Sequence, residues 1–524
     1  MSTSSLNYTP VDDIDDIVLS TKKAYQKRQW HLAETNNPKK EDLKLRLEQL
    51  QKLYYGLKDH EDEIVDALKK DFNRSRLETF VIELIPLYNH LLHLIENLPR
   101  HIEPEKISES GDLFKLSSVK VERISLGCVL VISPFNYPVL LALDPVAAAI
   151  GCGNSVILKP SEQTPAAAQV MEKILRAALS PSWVRVVHGA VNETSALIKN
   201  PNFDKIFYTG STKVGRIVAQ EAAKNLVPVT LELGGKSPVF ITEHLAPAKL
   251  KAALSRVFFG AFSNSGQTCV AADYLLVHES HLAQVRKLTT EVLDEFWPTV
   301  DPSTINTSMI HEAAYKGAME KLNATGGQKV RPTNVSDNLP NRCIAPTVVF
   351  DVGWDDSLME AENFSPVLPV ISYRDLNDVV AKVMQQHRNP LALYIFSQEQ
   401  QEIDRIMTMI KSGGCVINDT MVHVIALDAP FGGIRESGQG NYHGFWSFSA
   451  FTHERTVVKQ PFWIEFINGV RYPPFSARKL TLARAAMEKK PGFRRDGSKP
   501  WPLGKLVLMS FLVIFVARAL HFMC

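Results

Sequence analysis

Residues 264–273 read NSGQTCVAAD and set Cys269 behind polar and flexible residues, at the opening of a small-residue run. A cysteine kept for packing behaves as a small hydrophobe and usually sits among apolar neighbours. Here a turn that presents the thiol to an electrophilic carbon is the reading with chemical content, beside the plainer one of a small buried side chain. The thiolate is the nucleophile, and a free thiol is only about a few per cent ionised at neutral pH, so local donors must help. Upstream, LELGGKSP (231–238) puts Glu232 at the end of an apolar strand beside two glycines. A desolvated carboxyl there is raised toward the range of a general base, although a paired structural glutamate fits the same residues. SPFNYP (133–138) holds Asn136 between two prolines. Its amide N–H suits an oxyanion hole, and an Asx-turn equally.

Two further turns have the chemistry of a nucleotide site. FYTGSTKVGR (207–216) runs from Gly210 through Ser211, Thr212, Lys213 and Val214 to Gly215. Exposed backbone N–H groups and a helix N-terminus at such a turn favour a phosphate. Arg216 and Ile217 stand where a Walker loop needs Lys and Ser/Thr, and the G-x-x-x-x-G spacing is not the Rossmann GxGxxG. LKPSEQTP (158–165) places Lys159 and Glu162 where they could bind ribose hydroxyls; a surface lysine beside a Ser161 helix cap is the plainer alternative. The six cysteines form no CxxC pair, so a zinc ribbon or thioredoxin-type site has no support, and no Cys–His spacing of a protease is visible. Their sparseness suits a reduced, cytosol-facing body.

These turns need strands to end on. The periodicity predicts helices over 41–70 and 78–98, then an exposed alternating strand at 117–125 and a doubly covered strand at 128–133. Strands at 155–159, 184–189, 205–210 and 228–235 alternate with helices from 165 and 213. This rhythm predicts an α/β fold with a doubly wound parallel sheet, whose ligands lie beyond the carboxyl ends of the strands. A second βα-rich stretch, about 236–430, predicts a second such domain carrying Cys269. The 524-residue chain, 45% hydrophobic and 22% charged, is long enough for both cores.

The C-terminal end differs in texture. Residues 476–505 hold nine Lys/Arg and two Asp/Glu, a net +7 against +2 for the whole chain, which leaves −5 elsewhere. Residues 503–524, LGKLVLMSFLVIFVARALHFMC, follow with an apolar core from Leu506 to Ala517. That core is short of the ~20 residues of a spanning helix. A basic, Pro/Gly-broken linker before an apolar end predicts a membrane anchor, spanning or monotopic, with the body cytosolic. The basic cluster is then electrostatic anchoring, and no nucleic-acid partner is expected.

The set SPFNYP, LKPSEQTP, FYTGSTKVG, LELGGKSP and NSGQTC, in that order, resembles the aldehyde dehydrogenase superfamily over roughly 40–460. The segment PFGGIRESGQGNYHGFWSFSAFTHERTVVKQ resembles its class-3 branch, and with the tail the chain is similar to membrane-bound fatty aldehyde dehydrogenases of the fungal hexadecenal type. The resemblance implies NAD(P)-dependent oxidation of aldehydes, with NAD favoured over NADP by Glu162. It implies Cys269 as nucleophile, Asn136 as oxyanion donor and Glu232 as base for thioester hydrolysis, with no metal required. Lys159 and Glu162 would take the adenosine ribose, Gly210 to Gly215 the pyrophosphate, and Glu362 and Phe364 of ENFSP the nicotinamide ribose. Ser365, Arg435 and Glu436 stand where the family often has glycine or a small residue.

The implied domains are a NAD-binding domain (1–104 and 128–231), a catalytic domain (232–434) and a bridging arm of a homodimer (105–127 and 435–465). A basic linker (466–502) and the anchor (503–524) complete the chain. Fatty aldehydes from sphingolipid breakdown, such as hexadecenal, are the expected substrates, with a hydroxybenzaldehyde as the alternative and Tyr54, Phe72 and Trp446 as candidate tunnel residues. The expected membrane is the mitochondrial outer membrane, then endoplasmic reticulum or lipid droplet. Rival readings are a non-catalytic anchored scaffold and a coenzyme A-dependent acyl transferase.

Overall fold

The computed structural model describes residues 6–108, 114, 116–298, 307–489 and 491–499. The expected anchor at 503–524 lies outside them. Among the described residues no helix is long and apolar enough to cross a membrane.

Two compact units emerge. The larger comprises Met1–Glu103 and Arg123–Glu454. Its strands in chain order are β3 (Cys128–Ile132), β4 (Ser155–Lys159), β5 (Val184–Val186), β6 (Lys205–Thr209) and β7 (Val229–Glu232), then β8 (Pro238–Ile241) and β9 (Tyr274–His278). There follow β10 (Gln328–Val330), β11 (Thr347–Phe350), β12 (Val367–Tyr373), β13 (Ala392–Phe396), β14 (Gly414–Ile417) and β15 (Gly438–Gln439). The smaller unit holds β1 (Glu105–Lys106) and most of β2 (Ser118–Ser125) and β16 (Thr452–Lys459), which form a three-stranded sheet in the order β1-β2-β16. Ser117 Oγ donates to Gln460 Oε1 at 2.6 Å and Arg455 pairs with Glu122 at 3.0 Å within it.

The larger unit has two α/β sheets, as the alternation predicted. One has six strands in the order β15-β7-β6-β3-β4-β5, parallel except for β15. The other has seven in the order β10-β11-β12-β9-β8-β13-β14, parallel except for β10. Every residue of β3, β4, β6 and β13 is buried, which is why these strands read as apolar runs without alternation. In the six-stranded sheet the chain runs outward through β3, β4 and β5 and then returns to β6 on the other side of β3. The turns after β3, β4, β6 and β7 therefore share one edge at a topological switch point.

The helices differ from expectation in their breaks. The run 41–70 is two helices, Pro38–Asp59 and Glu61–Phe72, parted at His60, whose φ of −117° leaves the helical region. No Gly or Pro marks that break. The run 78–98 is Arg76–Thr79, a π turn at Phe80–Leu84 and Ile85–His101. Pro86 has no N–H to give the Ile82 carbonyl, and a wider turn accommodates the missing bond. A further helix, Ile14–Glu34, buries Ile14 and Val18 against Cys128, Leu130 and Ile132.

Arg74, fully buried, ties the turn after β3 to the loop that carries Cys269. It pairs with the buried Glu83 and donates to the Asn136 carbonyl (2.8 Å) and the Asn264 Oδ1 (2.6 Å). Glu83 Oε2 in turn accepts the Val139 and Leu140 N–H groups. Arg74→Met should lower unfolding stability by about 3–5 kcal/mol in urea titration, because a buried carboxyl loses its cation. Arg74→Met with Glu83→Leu should regain much of that loss; a single variant as stable as wild type would refute the assignment.

Candidate active site

Cys269 follows a tight turn in which Asn264 (φ 53°), Ser265 (φ 53°) and Gly266 (φ 70°) are all left-handed. A Cβ at position 266 would lie 2.2 Å from the Ser365 carbonyl oxygen, so only glycine fits. The polar neighbours of the thiol are not flexible. Asn264, Ser265, Gln267 and Thr268 are all buried. Gln267 donates to the Asn264 and Ser308 carbonyls and accepts the Ile310 N–H at 2.9 Å. Asn264 N–H donates to Glu78 at 2.7 Å. The loop is thus a rigid hydrogen-bonded frame, where sequence suggested flexibility.

Cys269 itself is half-buried. Burial, then the carboxyls of Glu362 and Glu232, push its thiol up to about 12, against which its own N–H and that of Val270 act. Asn136 is buried and donates one Nδ2 hydrogen to the Gln267 carbonyl at 3.0 Å. An amide nitrogen carries two hydrogens, so a second remains to donate. Glu232 ends β7 between Thr209 and Gly438. Both its carboxyl oxygens are buried without a partner among the described residues, and burial alone raises it well above the usual carboxylate range. Cys269 and Glu232 line a cavity of about 180 Å³ whose other walls are almost all apolar, among them Val81, Ile82, Leu140, Phe259, Phe431 and Tyr442. Of the side chains sequence offered for a tunnel, Phe72 is instead in the core, Tyr54 packs edge-on to Tyr88, and Trp446 is exposed. Sequence cannot see which apolar residues share a wall when they come from different elements.

Glu232 at the end of β7 lines this cavity, while Gly234 and Lys236 of the turn after it line a second, of about 460 Å³, with Ser211, Thr212, Glu362 and Glu436 among others. Lys159 Nζ pairs with Glu162 at 2.6 Å at the carboxyl end of β4. Gly210 precedes the helix Thr212–Lys224, which Ser211 caps by accepting the Val214 N–H. Lys213 and Val214 are exposed, while Gly215 is buried where a Cβ would lie 2.5 Å from Leu233. Glu362 approaches Gly234 so closely that a Cβ there would lie 2.5 Å from its carboxyl. Its Oε1 is buried and unpartnered among the described residues, and burial, then Asp273, raise it to about 8. Phe364, at φ 47°, packs edge-on to Phe135 with centroids 5.8 Å apart.

Sequence reasoning missed Lys236 and gave Glu436 only as a departure from the family pattern. Lys236 donates to Asp273 (2.6 Å) and to the Leu358 and Ala361 carbonyls, and Asp273 accepts the Asn363 N–H, so this buried pair pins the loop of Glu362. A lysine inside the apolar run GGKSPVF was the available signal. Glu436 accepts from Thr212 through its carbonyl (3.0 Å) and from Asn389 through its carboxylate (2.8 Å), which brings the atypical Arg435-Glu436 loop to the second cavity.

A thiol and an unpartnered carboxyl share one cavity, and a second cavity is lined by glycines. The model of the aldehyde dehydrogenase family matches residues 7–457. The chain belongs to that family. It is 50% identical over 516 residues to the fatty aldehyde dehydrogenase HFD1 of Saccharomyces cerevisiae, covering 98% of this chain and 97% of that one. A substrate-bound Staphylococcus aureus AldH structure superposes with a TM-score of 0.82 at 34% identity, covering 90% of this chain and 98% of its own. A Mycobacterium tuberculosis aldehyde dehydrogenase complexed with NAD+ does so with 0.75 at 25%, covering 87% and 92%. Family members are oxidoreductases that act on aldehydes with NAD or NADP. The second cavity fits such a group: it offers an orphaned carboxyl oxygen at Glu362, glycines with no room for a side chain, and a capped helix N-terminus.

Two predictions follow from these groups. Gly234→Ala should weaken NAD binding about tenfold, or about 1.4 kcal/mol, in fluorescence titration; unchanged affinity would show that Glu362 yields without consequence. Glu232 is ionised in the unfolded chain above its ordinary 4.5 but neutral when folded, so its contribution to stability is present at low pH and lost as pH rises toward its raised value. Glu232→Gln should therefore melt close to wild type near about pH 5 and increasingly above it toward about pH 8 in calorimetry. A constant difference would mean the carboxyl is not desolvated.

Proposed function

We propose that this chain oxidises long-chain aliphatic aldehydes to fatty acids at Cys269, hexadecenal from sphingolipid breakdown being the leading substrate. The observation that carries this reading is the pairing of a thiol with an unpartnered carboxyl on the wall of one largely apolar cavity. The likeness to a protein named a fatty aldehyde dehydrogenase supports the aliphatic class. Each buried methylene contributes about 0.8 kcal/mol to holding such a chain.

Cys269 attacks the aldehyde carbon as the thiolate, its proton having passed to solvent water. The oxyanion of the thiohemiacetal accepts from the free amide hydrogen of Asn136 and from the Cys269 N–H. Bound NAD(P)+ supplies the acceptor for the hydride that leaves the aldehyde carbon. Glu232, once its own proton has passed to solvent, takes a proton from the water that hydrolyses the Cys269 thioester; a positioned base is typically worth about 10²–10⁴-fold. Glu362 and Phe364 hold the nicotinamide ribose, Lys159 and Glu162 the adenosine ribose, and the Gly210–Gly215 turn the pyrophosphate. Glu162 would repel a 2′-phosphate, which favours NAD.

Domains and placement complete the proposal. Residues 1–104 and 128–231 bind the coenzyme, 232–434 carry the nucleophile, and 105–127 with 435–465 bridge a homodimer. After a basic linker, 503–524 anchor the chain with its body in the cytosol, at the mitochondrial outer membrane, endoplasmic reticulum or lipid droplet.

NADH formation by the detergent-solubilised full chain should be faster on hexadecenal than on a short alkanal or 4-hydroxybenzaldehyde. Glu232→Gln should keep a first-turnover burst while steady turnover falls at least about 10²-fold, and Cys269→Ser should show neither phase. Preference for the aromatic aldehyde would overturn the substrate class, and unchanged turnover by Cys269→Ser the mechanism. Truncation before 503 should release the protein from membranes.

A further inference from the structure

Three side chains that the reaction does not use converge beside the Cys269 cavity, and two of them, His90 and His443, line it. His90 comes from the helix Ile85–His101, Asp144 from the helix Leu140–Gly151, and His443 from the residue before the helix Gly444–Ala450. His90 Nδ1 lies 3.0 Å from Asp144 Oδ2, and His443 Nε2 lies 3.7 Å from the same oxygen. One ligand atom from each residue falls within 4.8 Å of the others. The two imidazole rings are 4.4 Å apart between centroids. All three residues are at least nine-tenths buried. His90 Nε2 and His443 Nδ1 are buried without a partner among the described residues.

A hydrogen bond accounts for only one edge of this triangle. The contact from His443 to Asp144 is too long for one, and the two imidazoles nonetheless turn toward one carboxyl oxygen. We infer that His90, Asp144 and His443 form a zinc-binding site on the wall of the cavity, and that Zn²⁺ held there blocks an aldehyde from Cys269. Tetrahedral zinc bound to His nitrogen and carboxylate oxygen at ~2.0–2.2 Å sets its donors about 3.3–3.5 Å apart. The observed 3.0 and 3.7 Å bracket that separation. A His₂Asp set suits zinc, whereas Mg²⁺ and Ca²⁺ take all-oxygen sets. The fourth position is left to water facing the cavity. Binding displaces the proton shared by His90 and Asp144, so uptake of Zn²⁺ releases it to solvent. The block rests on the cavity being the aldehyde's; the metal site does not.

Full-length protein in detergent is dialysed against buffered Zn²⁺ and its metal content measured. Wild type and Cys269→Ser should each retain one zinc per chain, and His90→Gln and His443→Gln should bind at least about tenfold more weakly. No retained zinc in wild type, loss of zinc in Cys269→Ser, or full retention in both histidine variants would overturn the site. Co²⁺ added to wild type gives a reading that no variant's folding can confuse. Tetrahedral visible bands without a thiolate-to-cobalt charge-transfer band are expected, and a strong charge-transfer band would assign the metal to a cysteine. In the NADH assay Zn²⁺ should compete with aldehyde in wild type and be at least about tenfold less effective against His443→Gln. Stoichiometric zinc without inhibition would leave the site and overturn the block.

Discussion

The buried guanidinium of Arg74 is the constraint on which the geometry of the site depends. It holds the Asn136 carbonyl and the Asn264 side chain at once, and is itself held by Glu83. The Asn136 turn leaves the six-stranded sheet after β3, whereas the Asn264 loop leads into β9 of the seven-stranded sheet. In the mechanism proposed, Asn136 as oxyanion donor and Cys269 as nucleophile can face one carbonyl only if those turns keep a fixed separation. Asn136 reinforces the link by donating to the Gln267 carbonyl, and Asn264 by donating to the Asn136 and Gln267 carbonyls. A displacement of an ångström in such a constellation costs orders of magnitude in rate.

Within that frame, desolvation dominates the electrostatics. Glu232 has no counter-ion among the described residues, Glu362 has the Gly235 N–H, Lys236 and Lys321 to set against burial and Asp273, and the two carboxyls raise the thiol further. The resting site therefore keeps its protons: Cys269 as a thiol and Glu232 as an acid. This costs stability, as functional sites commonly do, and it gives each group a strongly basic conjugate once ionised. A thiolate or a carboxylate formed there is then potent where water is scarce.

Much of this was legible in the sequence because its signals are local. The parallel sheets announced themselves as apolar runs between helices, and Cys269, Glu232 and Asn136 stood in turns whose neighbours marked them. Glu362 and Phe364 were accessible only through family resemblance, because ENFSP carries no physical signal by itself. Arg74 was not legible, and the Lys236–Asp273 pair showed only as an odd lysine in an apolar run: their meaning lies in partners from other elements, such as Asn264 for Arg74 and Leu358 for Lys236. The same holds for the helix break at His60, which no Gly or Pro marks, and for the apolar cavity wall, assembled from segments hundreds of residues apart.

The most direct test of the account is the rate of alkylation of Cys269 by iodoacetamide as a function of pH, measured without coenzyme and against Cys269→Ser as the blank. The account predicts slow reaction at neutral pH and a rate that climbs through the alkaline range with no plateau below about pH 9, well beyond an ordinary thiol's midpoint near about 8.5. Glu232→Gln, which removes one of the two nearby carboxyls, should shift that climb to lower pH. A plateau already reached near neutrality, unaffected by Glu232→Gln, would contradict it, for the resting site would then hold a thiolate activated by donors rather than a thiol held back by burial.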